Sequence, residues 1–212
     1  MKTTILLLCL ILSAIFANAQ TDKIIALNTP DTNRGETVLK ALSLRASTRE
    51  FSPAQLKLQD LSDLLWAANG INRPDEQKRT APSAINAQDI DVYAFLPSGT
   101  YLYDAAKHQL VLVAESDNRS VFSRNASETL PALICLLVSD TSRFRMSLED
   151  AQKREWAAMD AGIVSQNIAI FCASVGLSTR PRALMDKQKI KEILQLGDTQ
   201  LPMLNLPVSY KE

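Results

Sequence analysis

The chain has 212 residues, 46% of them hydrophobic, and its 23 Lys plus Arg are balanced by 23 Asp plus Glu. That length and apolar content suit one globular domain with a core and exclude a disordered chain. Zero formal net charge argues against a general nucleic-acid binder, which needs a basic surplus. The scarce residues exclude more. A single histidine, His108, cannot build a site of two or three imidazoles, and three cysteines fall short of a four-thiolate zinc site. The six glycines are scattered, so neither a GxGxxG turn nor a GxxxxGK[ST] loop exists. No metal site is expected. Any catalysis must rely on few side chains or borrow its chemistry.

The N-terminus reads as a processing segment. Lys2 precedes an apolar run from Ile5 to Phe16, and Ala17-Asn18-Ala19 supplies a small-x-small cleavage site. Residues 1–19 are therefore expected to be a signal peptide cleaved before Gln20. The protein would then be exported, periplasmic or secreted, with no membrane span. Of the cysteines only Cys135 and Cys172 would remain, both in apolar runs. They read as small buried hydrophobes, and an oxidising compartment leaves a disulfide open as the alternative.

Residues 20–35 form a polar, extended lead-in to a domain spanning 36–212. Apolar spacing predicts a helix over 37–44, ending near Arg45–Arg49, and a second over 58–69 stopped by Gly70. Residues 72–80 read as a charged loop, and Ala81-Pro82-Ser83-Ala84 as a loop feeding a short helix. Strands are predicted at 92–96 and 100–103 around a Pro97-Ser98-Gly99 turn, at 110–114, and at 132–138 as a central strand. Ser147–Asp150 resembles a capping box opening a long helix to about Ser174. From Trp156 to Val175 that helix is apolar on most of its circumference, which predicts burial on nearly all sides, in a core or at a subunit interface. A last helix over 186–196, stopped by Gly197, and an extended segment over 201–208 complete an α+β pattern.

Two stretches carry candidate chemistry. Arg45-Ala46-Ser47-Thr48-Arg49 sets two guanidinium groups four residues apart, on one face if the helical turn persists, with hydroxyls between. That suits a phosphate monoester; a solvated basic helix end is the plainer reading. In 81–88, small residues let a backbone approach a flat ligand, and the amides of Asn86 and Gln88 can meet a ring edge. An ordinary Pro-initiated helix start is its plainer reading. Arg180, Arg182 and the Lys78-Arg79 pair read either as solvated basic loops or as anion-recognition groups. His108 reads as a surface residue.

Together the stretches resemble the nitroreductase family of flavin mononucleotide (FMN) enzymes. Arg45, Ser47, Arg49 and Phe51 match its R-x-S-x-R-x-F opening, and Pro82, Ser83, Ala84, Asn86 and Gln88 match P-S-[AS]-x-N-x-Q. Asp160-Ala161-Gly162 with Gln166-Asn167 resembles the start of its central helix. Gly176-Leu177-Ser178-Thr179 resembles the G-L-G-[ST] after it, with Ser178 in place of a glycine. The resemblance implies a mainly antiparallel sheet flanked by helices, with a long buried central helix. It implies a homodimer with shared flavin sites. Arg45, Ser47 and Arg49 would hold the phosphate and the pyrimidine edge. Pro82, Ser83, Ala84 and Asn86 would reach the other subunit's flavin, and the backbone of Leu177, Ser178 and Thr179 would lie near the ring. No side chain need be catalytic, because the flavin carries ping-pong hydride transfer to or from a small conjugated, nitro or quinone-type substrate. A non-catalytic flavin-binding protein and an azoline-type peptide dehydrogenase are the rival readings. The family's C-terminal basic residue has one candidate here, Lys211, a poor match in sequence.

Overall fold

The computed structural model describes residues 23–123, 125 and 128–211. The proposed signal peptide, with Cys9, lies outside them. The elements in chain order are β1 (Ile24–Ala26), α1 (Val38–Leu44), α2 (Leu58–Asn69), β2 (Ile71–Arg73), β3 (Lys78–Arg79), β4 (Ile90–Leu96), β5 (Gly99–Asp104), β6 (Gln109–Ala114), β7 (Leu133–Asp140), α3 (Asp150–Ser174), β8 (Leu177–Thr179), α4 (Lys187–Leu194) and β9 (Gln200–Tyr210). Seven strands form one sheet in the order β1-β6-β5-β4-β7-β9-β8, every neighbouring pair antiparallel.

The central strands alternate between two cores. Val92, Ala94, Leu133, Cys135 and Leu137 face α2 and α3, meeting Leu64, Leu65, Ala161, Val164 and Ile168. Tyr93, Phe95, Ile134, Leu136 and Val138 face the other way, against Phe122 and Ile190 of α4. Strand side chains alternate with a period of two, so a strand covered on both faces has to be apolar throughout; that accounts for the unbroken run Leu133–Val138. Cys135 and Cys172 lie in the α2–α3 core as free thiols, fully buried. Burial pushes the Cys135 thiol up to about 12 and holds Cys172 well above the ordinary range, so neither is a nucleophile.

Several boundaries differ from the sequence reading. The lead-in is more than extended chain: Ile24–Ala26 pairs with Val111–Gln109 as an edge strand. Beyond it, Arg34 forks between Asp60 at 2.6 Å and Asp63 at 3.0 Å, and the Tyr210 hydroxyl donates to Asp60 at 2.7 Å. His108, half-buried, lies between the Tyr103 hydroxyl (2.8 Å) and the Asn28 carbonyl (2.9 Å). The supposed charged loop over 72–80 contains a small antiparallel pair, β2 with β3. The hairpin turn is Pro97-Ser98 alone, since Leu96 already pairs with Gly99.

Gly70 is the C-cap of α2 at an ordinary φ of −74°, and a Cβ there would stand 2.5 Å from the Trp66 ring. Helix α3 begins at Asp150 behind Glu149, without the side-chain cap that Ser147 seemed to offer. Helix α4 is capped by the Asp186 side chain and ends in a left-handed Gln195 before Gly197 is reached.

Within one chain the long helix is covered along one side. Its buried residues, Ala157, Asp160, Ala161, Val164, Ser165, Ile168, Ala169, Cys172 and Ala173, form a single stripe. Met159 (56%) and Ile163 (36%) remain exposed in the single chain. Helix α1 packs on α3 through Ala41 yet exposes Val38, Leu39 and Leu42.

Candidate functional site

The Arg45–Arg49 stretch does not continue the helix. Arg45 is the C-cap of α1: its N–H closes the last turn on the Ala41 carbonyl, and its backbone turns extended, at φ −61° and ψ 119°. The two guanidinium groups therefore do not share a helical face. Instead the chain runs beside β8: Ser47 forms a parallel bridge with Thr179, and the Thr48 N–H reaches the Thr179 carbonyl at 3.4 Å. This brings together two stretches that are more than a hundred residues apart in sequence.

The junction walls a cavity of about 340 Å³. Ser47 and Thr48 line it from one side, and Leu177, Ser178 and Thr179 from the other. Ala169 and Ala173, a turn apart on α3, leave the space that larger side chains would fill. Lys211 lines it too, carried there by β9, whose Tyr210 pairs with Leu177. The weak sequence match at Lys211 thus becomes a cavity residue. Among the described residues Glu50 is the one acid in the wall. Arg45 and Arg49 stand exposed and outside the wall, and neither pairs with an acid among the described residues. Ser178 has an ordinary backbone conformation, so standing in a glycine's place strains nothing; the left-handed residue here is Gly176, at φ +76°.

Pro82, Ser83, Ala84 and Asn86 lie elsewhere. Ile85, Asn86 and Gln88 all take positive φ, at 48°, 55° and 50°. Such a backbone needs outside support. Ser83 Oγ accepts the Gln88 N–H at 2.8 Å, and the Asp160 carboxylate accepts the Ala84 N–H. Arg79 donates to the Gln88 side chain at 3.0 Å and to the Asn69 carbonyl at 2.8 Å. Arg79 is therefore a structural clamp and not a solvated loop residue, while Lys78 pairs with Glu76 at 2.7 Å. Gln88 is committed to Arg79 and to the Gln77 carbonyl, leaving Asn86 as the exposed amide. Asn86 and Gln88 line a second cavity, of about 470 Å³, with Ser142, Arg143 and Arg145. The two cavities share no residue within one chain.

Sequence reasoning missed the support beneath this loop. Asp89 and Ser139 are fully buried, and Ser139 Oγ donates to Asp89 Oδ2 at 2.5 Å. Asp89 Oδ1 has no hydrogen-bond partner. Burial pushes the Asp89 carboxyl up to about 7, and neighbouring Asp160 pushes it the same way against the Ser139 bond. A carboxyl that keeps its proton here removes the charge that burial penalises. Among the described residues no group of His, Cys, Asp and Glu is gathered that could hold a metal ion, and no helix is long and apolar enough to cross a membrane.

Comparison with known proteins gives a consistent answer. A crystal structure named as a candidate nitroreductase from Ralstonia eutropha is 33% identical, covers 91% of each chain and superposes with a TM-score of 0.85. A protein of Methanocaldococcus jannaschii named as a candidate nitroreductase is 26% identical over 178 residues, 79% of this chain and 87% of its own length. A Staphylococcus epidermidis structure named as a candidate NAD(P)H:FMN oxidoreductase shares the fold, with a TM-score of 0.62 at 14% identity over 87% of this chain and 91% of that one. A family model described as Nitroreductase family matches residues 42–210, from the end of α1 to the end of β9. It spans the Ser47 stretch, the 82–88 loop, the long helix and β8, and the chain belongs to the nitroreductase family of flavin-type oxidoreductases.

Proposed function

We propose that this chain is an exported, FMN-dependent oxidoreductase that works as a homodimer on a small conjugated, nitro or quinone-type substrate. The observation that carries the reading is the Ser47–Thr179 junction. It supplies a hydroxyl-lined cavity with Lys211 in its wall, while the 82–86 loop faces a separate cavity of the same chain. A loop that serves the partner's site has to lie apart from its own.

The residues present fit the cofactor. Hydroxyls of Ser47 and Thr48 and the ammonium of Lys211 suit a phosphate monoester, with Arg45 and Arg49 as further cations nearby. The backbone of Leu177, Ser178 and Thr179 would hold the ring, and Asn86 of the 82–86 loop, with Pro82, Ser83 and Ala84, would close over the partner's flavin. A flavin held there would supply the hydride chemistry between a donor and an acceptor. The protein's part is to bind, orient and exclude water; its thiols are buried, and none of its carboxyls lining the first cavity except Glu50 could exchange a proton there. An exported enzyme does not meet the cytoplasmic nicotinamide pool, so a nicotinamide is not the native donor.

The visible spectrum of the purified protein is the test. Flavin bands, bleached anaerobically by a quinol or thiol donor and restored by a nitro or quinone acceptor, are expected; a colourless protein that takes up no FMN would refute the reading. N-terminal sequencing of the exported chain should begin at Gln20.

A further inference from the structure

A third cavity, of about 670 Å³, opens beside the first. Thr179 lines the first cavity and the next residue, Arg180, lines this one. Its wall combines apolar Val121, Phe122, Leu184 and Met185 with Ser123 and the guanidinium of Arg180. The volume suits a small-molecule site.

The charged groups around it are unequal. Arg182 is held by the fold: its Nε donates to Asn205 Oδ1 at 2.8 Å, its backbone bridges Asn205 in both directions, and Glu128 lies 4.0 Å away. Asp186, the one acid in the wall, accepts the Lys189 N–H at 2.9 Å as the cap of α4. Arg180 is different. Its Nε is enclosed, the side chain as a whole is only half-buried, and it makes no hydrogen bond or ion pair among the described residues. A guanidinium without a partner in the fold offers a planar fork matched to a carboxylate. Around it, Leu184 is exposed to 71% without apolar cover.

We propose that this cavity takes the substrate's anionic end: the carboxylate of a small apolar acid docks on Arg180, and its apolar body lies against Val121, Leu184 and Met185. The role as a substrate pocket rests on the flavin reading above; the anion site itself does not. A monoanion matches the single charge of one guanidinium. A phosphate dianion would press its remaining oxygens against the apolar wall, which costs free energy without partners.

Calorimetry on the purified processed protein, with benzoate and its neutral analogue benzamide as probes, tests this. Benzoate should bind at least about tenfold more tightly than benzamide, as expected for a charged hydrogen bond. Arg180→Gln should erase that preference while the flavin absorbance per chain stays the same, and Arg180→Lys should restore part of it. Among nitro acceptors, 4-nitrobenzoate should lose its advantage over 4-nitrotoluene in kcat/KM in the same variant. Equal binding of the two probes to the unaltered protein would overturn the proposal, whether or not the variants fold. So would undiminished benzoate binding by Arg180→Gln, or loss of flavin in that variant with benzoate binding intact, which would assign Arg180 to the cofactor. A colourless protein whose benzoate binding still depends on Arg180 would refute the flavin reading and leave the anion site standing.

Discussion

Asp160, in the middle of the long helix, accepts the backbone N–H of Ala84 with both carboxylate oxygens, at 3.1 Å and 2.9 Å. One buried carboxylate thereby fastens a loop that has three left-handed non-glycine residues within five positions of Ala84. Replacing it should release the loop. Asp160→Ala leaves the Ala84 donor unpaired and should cost about 1–3 kcal/mol in urea unfolding. Asp160→Asn, which keeps one acceptor oxygen, should cost less. Amide exchange at Ala84 should accelerate in both.

Asp89 sets a pH dependence whose sign can be stated. Its folded carboxyl is raised to about 7 from a reference of 3.8, so between those values the folded state holds a proton that the unfolded state has released. Stability falls as pH rises through that window and levels off above it. The loss between about pH 4 and about pH 7 should be on the order of 3 kcal/mol. Asp89→Asn, which cannot ionise, should flatten that part of the curve; denaturant midpoints across the range are the measurement.

The cation supply around the first cavity can be dissected. Lys211→Gln, Arg45→Ala and Arg49→Ala should each weaken FMN retention, by about 1.5–3 kcal/mol where the charge contacts the phosphate directly. Flavin remaining after dialysis gives the ranking. Lys211 is expected to matter most, because it alone of the three lines the cavity. Full retention in all three variants would place the phosphate elsewhere.

Assembly can be tested without damaging the single chain. Met159 is exposed at 56%, so Met159→Glu should fold normally. Were that face joined to a second copy, the new carboxylate would be buried without a partner, costing several kcal/mol. Light scattering at low micromolar concentration should report a dimer for the natural sequence and a monomer for the variant. Flavin should be lost with the dimer.

The long-range pattern was readable where one physical cause dominated. Leu133–Val138 is apolar because both faces of that strand are covered, and Leu61, Leu64, Leu65 and Ala68 recur at helical spacing because one face of α2 is. The errors fall where local rules met tertiary ones. Ser147 has the type of a capping residue, but α3 begins three residues later. Arg45 and Arg49 have helical spacing, yet the chain leaves α1 to pair with β8. Lys211 could not be read at all from its neighbours, since its place is fixed by the register of Tyr210 with Leu177. The same holds for Asp89 and Asp160, whose proximity depends on how α3 crosses the sheet.

His108 has its imidazole held by two unlike partners. A carbonyl only accepts, so the ring nitrogen facing Asn28 must carry the hydrogen; Nδ1 then receives the Tyr103 hydroxyl. Burial also lowers the affinity of this ring for a second proton. Asn28 belongs to the segment that follows β1, whereas Tyr103 and His108 belong to the β5–β6 hairpin region. The tautomer is thus tied to whether the first strand is docked. Because the sequence contains no other histidine, nitrogen-15 resonances of one ring would register detachment of that strand as a shift in tautomer populations, ahead of global unfolding and without any introduced label.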